Sequence, residues 1–353
     1  MNANDLRAPA LSPSQKAQFD RHGFIGPFDG SVPGDVIDRV AYRLAAMIDE
    51  RWKHPLYGRF SVRDWHLLDD EVLALFRDPA VLGRMKALLG EDLILWRSKV
   101  FDKQPGEGVL GWHQEWGAFN GEEIGNDVPG LEPAPESRSQ YWNLTAWIAL
   151  VDIDESMGPI RFALGSHRRH YPITMAPLTK TEFWHDPFLG VSDPQVLVKR
   201  ANEGSLILDV DTTDVFEGMD TETLSLDRAR DRVLYVLSQK VGALTLDFDA
   251  SNETIVNTTM RKGQFVIFSE RTMHGSSANQ SSRRRLAING RVTHSSTIVY
   301  PGRLRGNYVD GSNIDISKHR CILLAGEDRA GVNVFEASRF NAASTGMSAG
   351  VLQ

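Results

Sequence analysis

Trp112-His113-Gln114-Glu115-Trp116 puts an imidazole and a carboxylate two residues apart. On an extended strand, positions i and i+2 share a face, so both side chains can reach one metal ion. A second imidazole stands far downstream in Met273-His274-Gly275-Ser276. Two histidines and one carboxylate form the ligand set that holds non-haem Fe(II) and leaves coordination positions open. His274 must then arrive from a distant strand, which sandwich and barrel folds allow.

The residues after His274 sharpen the reading. The run His274-Gly275-Ser276-Ser277-Ala278-Asn279 leads to Arg283-Arg284-Arg285 and then to Leu286-Ala287-Ile288. A guanidinium matches two carboxylate oxygens at once. A metal with open positions beside a buried arginine suits an acidic co-substrate that also chelates the metal. 2-Oxoglutarate does both, through its 2-oxo acid end and its distal carboxylate.

Further segments fall in a recognisable order. They are Leu11-Ser12-Pro13 through Phe19-Asp20-Arg21-His22-Gly23-Phe24, Phe101-Asp102-Lys103-Gln104-Pro105-Gly106 and Gly111-Trp112-His113-Gln114-Glu115. Then come Leu144-Thr145-Ala146-Trp147-Ile148-Ala149-Leu150-Val151-Asp152, Gly158-Pro159-Ile160-Arg161-Phe162, Gly165-Ser166-His167 and Lys262-Gly263-Gln264-Phe265-Val266-Ile267-Phe268. With these pieces, from about residue 11 to about residue 295, the chain resembles the phytanoyl-CoA hydroxylase-like Fe(II)/2-oxoglutarate dioxygenases. The resemblance implies a mainly β fold with flanking helices on a double-stranded β-helix (jelly-roll, cupin-like) core. It implies Fe(II), 2-oxoglutarate and O2, with oxidation of an unactivated C–H bond, most commonly by hydroxylation. Desaturation, epimerisation and cyclisation arise from the same chemistry. A catalytically silent, small-molecule-binding member of the fold is the alternative from another class, and a cupin-like metalloenzyme without 2-oxoglutarate is a remoter one.

His113, Glu115 and His274 are thus the expected metal ligands. The family usually carries Asp where Glu115 stands; Glu is one methylene longer and still a competent ligand. Related halogenating enzymes carry a small residue there, so Glu115 argues against halogenation. The family's co-substrate arginine comes about eleven residues after the distal histidine, which selects Arg285, with Arg284 second. Strand alternation separates these two, since Arg283 and Arg285 share one face and Arg284 takes the other. Lys103 sits where family members place a cation or amide near the co-substrate. Ser276 shares a strand face with His274, and its hydroxyl can assist Arg285. Asn143 and Thr145 alternate with Trp147 on a core strand, so either can hydrogen-bond the co-substrate. Trp116 is a candidate for the substrate pocket. The other eight histidines read as structural or exposed.

Composition narrows the class. The chain has 353 residues, 41% hydrophobic and 24% charged, enough for a sizeable core. Its net charge of −7 lacks the basic excess of nucleic-acid binders. The single cysteine, Cys321, permits no intrachain disulfide. No apolar run approaches the roughly 18 residues of a membrane span, and the start shows no secretory signal. The expectation is a cytoplasmic enzyme acting on a small molecule, with no nucleic-acid or membrane partner. The substrate class stays open between an amino acid, a peptide-like or polyketide metabolite and an acyl thioester.

Residues 1–92 read as helical: 13–22 capped by Ser12 or Ser14, Val36 to Trp52 capped by Asp35, Asp70 to Phe76, and Ala80 to Leu89 ended by Gly90. Residues 93–300 read as the catalytic core. Strands are expected at Leu93 to Trp96, Asn143 to Val151, Ile160 to Ala163, Ser205 to Leu208, Gln264 to Phe268 and Leu286 to Thr293. The Gly-, Pro- and acid-rich stretch 120–139 reads as a loop over the site. Residues 171–260 read as an insertion that shapes the substrate pocket or a subunit contact, the latter implying a homodimer. Residues 301–353 read as a C-terminal extension with little signal, frayed from 341. The whole is taken as one structural domain.

Overall fold

Ser12 opens the first helix. Its hydroxyl accepts from the Gln15 backbone, while the Gln15 side chain accepts from the Ser12 N–H at 2.9 Å. This reciprocal pair starts α1 (Pro13–His22), and Gly23 ends it at φ +82°, a left-handed conformation that favours glycine. The computed structural model describes residues 10–115, 130–137 and 141–336, apart from 183, 185, 209, 241 and 311–313. Within them α2 (Gly34–Asp49), α3 (Asp70–Phe76) and α4 (Pro79–Leu89) complete the N-terminal helices. α2 starts from Pro33 rather than Asp35. Asp35 instead pairs with Arg39 one turn on, at 2.8 Å. The apolar stripe Ile37, Val40, Leu44 and Met47 is buried, as a three-to-four spacing requires.

Beyond the helices lie two antiparallel sheets. One has six strands in the order β1 (Phe24–Asp29), β10 (Gln264–Ser269), β5 (Asn143–Ala149), β12 (Arg285–His294), β2 (Leu93–Lys103) and β14 (Ile322–Ala325). The other has β3 (Leu110–His113), β11 (His274–Ser276), β6 (Ile160–Ala163) and β9 (Ile255–Thr258). The period of two decides what each strand does. Leu144, Ala146 and Ile148 of β5, Phe265 and Ile267 of β10, and Leu286, Ile288 and Val292 of β12 pack against α1–α4. The alternate residues Trp147, Val266, Phe268 and Ala287 face the second sheet, where they meet Ile160 and Phe162. β5 is therefore buried on both faces along its whole length. This arrangement is a double-stranded β-helix with helices against one outer face.

Between β7 (Ile173–Pro177) and β8 (Gly242–Leu246), which pair with each other, lie α5 (Pro194–Asn202) and α6 (Leu226–Lys240). These helices and their connections gather their own apolar cluster, including Leu197, Ala201, Val215, Val233 and Leu237. The strand expected at Ser205 to Leu208 is absent. Gly204, at φ +64°, turns the chain, and Leu206 and Ile207 fold into this cluster without a strand partner among the described residues. Short apolar runs do not distinguish a strand from a loop buried in a cluster. The insertion is tied back to the first hundred residues, where Arg51 donates to the Ser205 carbonyl at 2.6 Å.

The C-terminal segment does more than its sequence suggests. β14 pairs with β2 as the edge of the six-stranded sheet, Ile322 opposite Leu95. Cys321 is buried in a cluster with Trp96, Trp142 and Tyr300, and burial pushes its thiol up to about 12. The tail from 337 lies outside the described residues. So does most of the expected loop 120–139, of which 130–137 are described; they include the short β4 (Leu131–Glu132), paired with β13 (Ile298–Val299). No helix among the described residues is long and apolar enough to cross a membrane.

Candidate functional site

His113 and His274 face each other across two antiparallel strands, as direct register partners of β3 and β11. Their ring centroids are 4.2 Å apart. Gly275 allows this approach: a Cβ there would lie 2.7 Å from the Leu110 carbonyl oxygen and push the two strands apart. Each ring is fixed by its own backbone. His113 Nδ1 lies 2.9 Å from the Gly111 carbonyl and His274 Nδ1 lies 2.8 Å from the Thr272 carbonyl. A carbonyl only accepts, so each Nδ1 carries the proton and each Nε2 carries the lone pair. Burial lowers the pKa of both rings; the Glu115 charge opposes this at His113, and the neighbouring His113 adds to it at His274. Both rings are therefore held neutral, the form a metal requires.

β3 ends at His113, yet the alternation continues beyond it. Gln114 points away and donates to the carbonyls of Arg169 at 2.9 Å and Arg271 at 2.6 Å. The Glu115 N–H donates to the Glu270 carbonyl at 2.9 Å, which returns its side chain to the face of His113. His113, Glu115 and His274 line one cavity of about 600 Å³, counting its open mouth. The Glu115 carboxylate is paired there with the Arg291 guanidinium. Among the described residues, no three His, Cys, Asp or Glu side chains are gathered closely enough to hold one ion. Two imidazoles converge and the carboxylate stands beside them on its arginine. As a donor set they fit a divalent iron: two neutral imidazole nitrogens of fixed tautomer and one carboxylate in the same cavity.

The cavity also receives Arg285. Its side chain is buried, with its guanidinium 5.6 Å from the Trp147 ring. Its Nε has no hydrogen-bond partner, and no carboxylate pairs with it among the described residues. Burial lowers its pKa to about 10, which leaves it charged at neutral pH. A buried, unsatisfied cation is unfavourable unless an anion arrives to meet it. Arg284 points outward to Asp102 at 2.6 Å and Asp49 at 2.8 Å, and Arg283 reaches Asp154 at the surface. Arg283 stands in the bend before β12, so the face it was expected to share with Arg285 does not form, and of the three only Arg285 enters the cavity.

Ser276 lines the cavity too, but Lys103 does not. The Lys103 ammonium donates to Ser276 Oγ at 2.9 Å and to the carbonyls of Gly108 and Ser277, both at 2.7 Å. Burial pulls its pKa down to about 7. With its donors committed, Lys103 can act on a ligand only through Ser276. Asn143 and Thr145 lie on the strand face that carries Trp147 but outside the lining. Asn143 Oδ1 accepts from Trp96 at 2.9 Å, and Thr145 Oγ1 is buried without a partner. Trp116 lies outside the described residues.

Lys99, Phe101, Asn289 and Arg291 line the cavity and were not anticipated. A signal for two of them existed. Stepping by two along β12 from Arg285 reaches Asn289 and then Arg291 on the same face.

Comparison with known proteins bears on the fold and the family. A structure described as "CytC3 with Fe(II) and alpha-ketoglutarate" superposes with a TM-score of 0.58 at 20% identity, covering 93% of each chain. A non-heme monooxygenase, the ThoJ–Ni complex, gives 0.52 at 16% identity, covering 91% of this chain and 87% of that one. EctD from S. alaskensis with 2-oxoglutarate and 5-hydroxyectoine gives 0.50 at 16%, covering 84% and 79%. No curated protein matches in a sequence search. At these identities the superpositions establish the fold. The family model for phytanoyl-CoA dioxygenase (PhyH) matches residues 19–287. The chain belongs to the phytanoyl-CoA dioxygenase (PhyH) family of oxidoreductases, and its site fits Fe(II), 2-oxoglutarate and O2.

Proposed function

We propose that the protein is a non-haem Fe(II)- and 2-oxoglutarate-dependent dioxygenase that hydroxylates an unactivated C–H bond of a small-molecule metabolite. One observation carries the reading: a pair of neutral, backbone-fixed imidazoles shares a cavity with the buried, unsatisfied guanidinium of Arg285. His113, His274 and Glu115 would hold the iron. Arg285, helped by the Ser276 hydroxyl, would take the distal carboxylate of 2-oxoglutarate.

When bound, iron and 2-oxoglutarate together activate O2, with decarboxylation to succinate, and supply an oxidant able to attack a C–H bond. The chain's own part is positioning and exclusion. The carbonyls of Gly111 and Thr272 fix the two ring tautomers. Lys103 orients the Ser276 hydroxyl. Phe101, Trp147, Ile160 and Phe268 make the walls apolar, which limits water at the reacting centre. Glu115 keeps a carboxylate in the ligand set, which argues against halogenation, and hydroxylation is the commonest outcome of the chemistry that remains. A structure with the hydroxylated compound 5-hydroxyectoine among those of similar fold is consistent with it.

O2-dependent succinate formation from 2-oxoglutarate, screened across a metabolite library, tests the reading. Arg285→Gln should raise the 2-oxoglutarate requirement by more than about tenfold, since a buried charged contact is worth about 2–5 kcal/mol. Iron binding should change little. No succinate with any substrate, or an unchanged 2-oxoglutarate requirement in Arg285→Gln, would contradict it.

A further inference from the structure

The Glu115–Arg291 pair ties one member of the expected ligand set to a second arginine of the cavity. Arg291 Nη2 donates to Glu115 Oε1, and both side chains are nearly buried, 11% and 13% exposed. Arg291 is fixed by the sheet: on β12 it lies opposite Arg97 of β2 and Thr145 of β5. Arg97 has its own acid, Asp310, at 2.8 Å. Arg291 therefore stands at the opposite end of the β12 cavity face from Arg285, with Asn289 between them.

A carboxylate has two oxygens and can bind a metal through one or both. Two imidazoles, a two-atom 2-oxo acid and O2 ask for five positions of an octahedral iron, which leaves one for Glu115. A carboxylate that closed on the iron through both oxygens would occupy a position that a co-substrate needs. We propose that Arg291 is the positioning residue of this site: by holding Oε1 of Glu115 it leaves a single oxygen for the iron and so keeps the co-substrate positions open. The proposal rests on the function proposed above. It also gives the extra methylene of glutamate a part, since one side chain must then serve both the guanidinium and the ion.

The test uses the full chain under anaerobic conditions. Fe(II) is titrated alone, then 2-oxoglutarate is titrated into the Fe(II) protein by its visible charge-transfer absorption. In Arg291→Gln, Fe(II) should bind as tightly as in the wild type or more tightly, because a competing cation is gone. 2-Oxoglutarate should bind at least about tenfold more weakly, with an altered band, and Arg291→Lys should lie between the two. A merely structural role would weaken both ligands together, and an uninvolved residue would change neither; either result overturns the proposal.

Glu115→Asp supplies an independent arm should Arg291→Gln fail to fold. The shorter acid cannot meet both partners, so Fe(II) should bind about tenfold more weakly, and adding Arg291→Gln, where it folds, should restore most of the loss. Wild-type Fe(II) affinity in Glu115→Asp overturns the proposal, as does a double variant no better than the single one. Failure of the wild type to bind Fe(II) would instead remove the underlying function.

Discussion

His113 and His274 can serve a metal only as neutral rings with Nε2 unprotonated, and both conditions are set by neighbouring atoms. Burial lowers their pKa values, and the Gly111 and Thr272 carbonyls select the tautomer. Either histidine changed to Ala should lower Fe(II) affinity by at least about tenfold, with the thermal transition nearly unchanged. Anaerobic titration with Fe(II) and a parallel melt would show it; unchanged affinity in either variant would remove that residue from the site. At this scale the sequence was informative where chemistry is specific to residue type. Two imidazoles, an acid and an arginine are a rare combination, so His113, Glu115, His274 and Arg285 could be named and the structure places them around one cavity. Lys103 sits where the family places a cation or amide near the co-substrate, but burial beside Ser276 turns its three donors to local partners. Arg291 and Asn289 escaped notice because they sit in a strand that reads as core, where nothing but the period of two marks them.

Gly275 shows what an element contributes beyond its side chains. β11 is only three residues long, and it carries His274 between β3 and β6. Glycine is needed there for clearance rather than for an unusual backbone angle, since a Cβ would meet the Leu110 carbonyl at 2.7 Å. Gly275→Ala should destabilise by about 1–3 kcal/mol through overpacking and weaken Fe(II) binding by spreading the imidazoles. Denaturant unfolding and an iron titration together test this; unchanged values in both would show that the strands tolerate the methyl. The helices and long strands were legible because their periodicities extend over many residues: α1 falls where its Ser12 cap puts it, and α3 covers the expected Asp70 to Phe76. β14 was not legible. It is a four-residue edge strand, defined by pairing with β2 rather than by its own pattern. Ser205 to Leu208 failed for the converse reason, since its apolar run belongs to a cluster and not to a sheet.

The whole molecule ties its N-terminal and C-terminal segments together through a buried polar network beside β2. Asp64 accepts from the Ser98 N–H at 2.8 Å and from the Tyr57 hydroxyl. His66 meets Ser98 Oγ at 2.7 Å, and His319 meets the Trp96 carbonyl at 2.6 Å. Burial pulls both histidines down to about 4. In the unfolded chain they titrate near about 6.5, so the unfolded state takes up protons first as pH falls. Their contribution to stability is complete above about pH 6.5 and is lost progressively as pH falls toward about 4. The buried, neutral His113 and His274 act in the same direction. Buried Glu270, raised to about 7, acts the other way over the same range and offsets part of this, so metal-free protein should lose unfolding free energy between about pH 7.5 and pH 5 by less than the four histidines alone would give. His66→Gln and His319→Gln should each flatten that slope in denaturant titrations; an unchanged slope in both would assign the acid sensitivity elsewhere. None of this network was visible in the sequence, because its members come from segments before, on and after β2 that meet only in the fold.

The central claim is that one cavity holds iron on His113, Glu115 and His274 and presents Arg285 to a 2-oxo diacid. The most direct measurement is the anaerobic visible spectrum of the wild-type chain with Fe(II) and 2-oxoglutarate, repeated with His274→Ala. The account predicts a weak charge-transfer band that saturates at about one iron per chain and is absent in the variant. No band in the wild type at full iron loading, or the same band in His274→Ala, would contradict it.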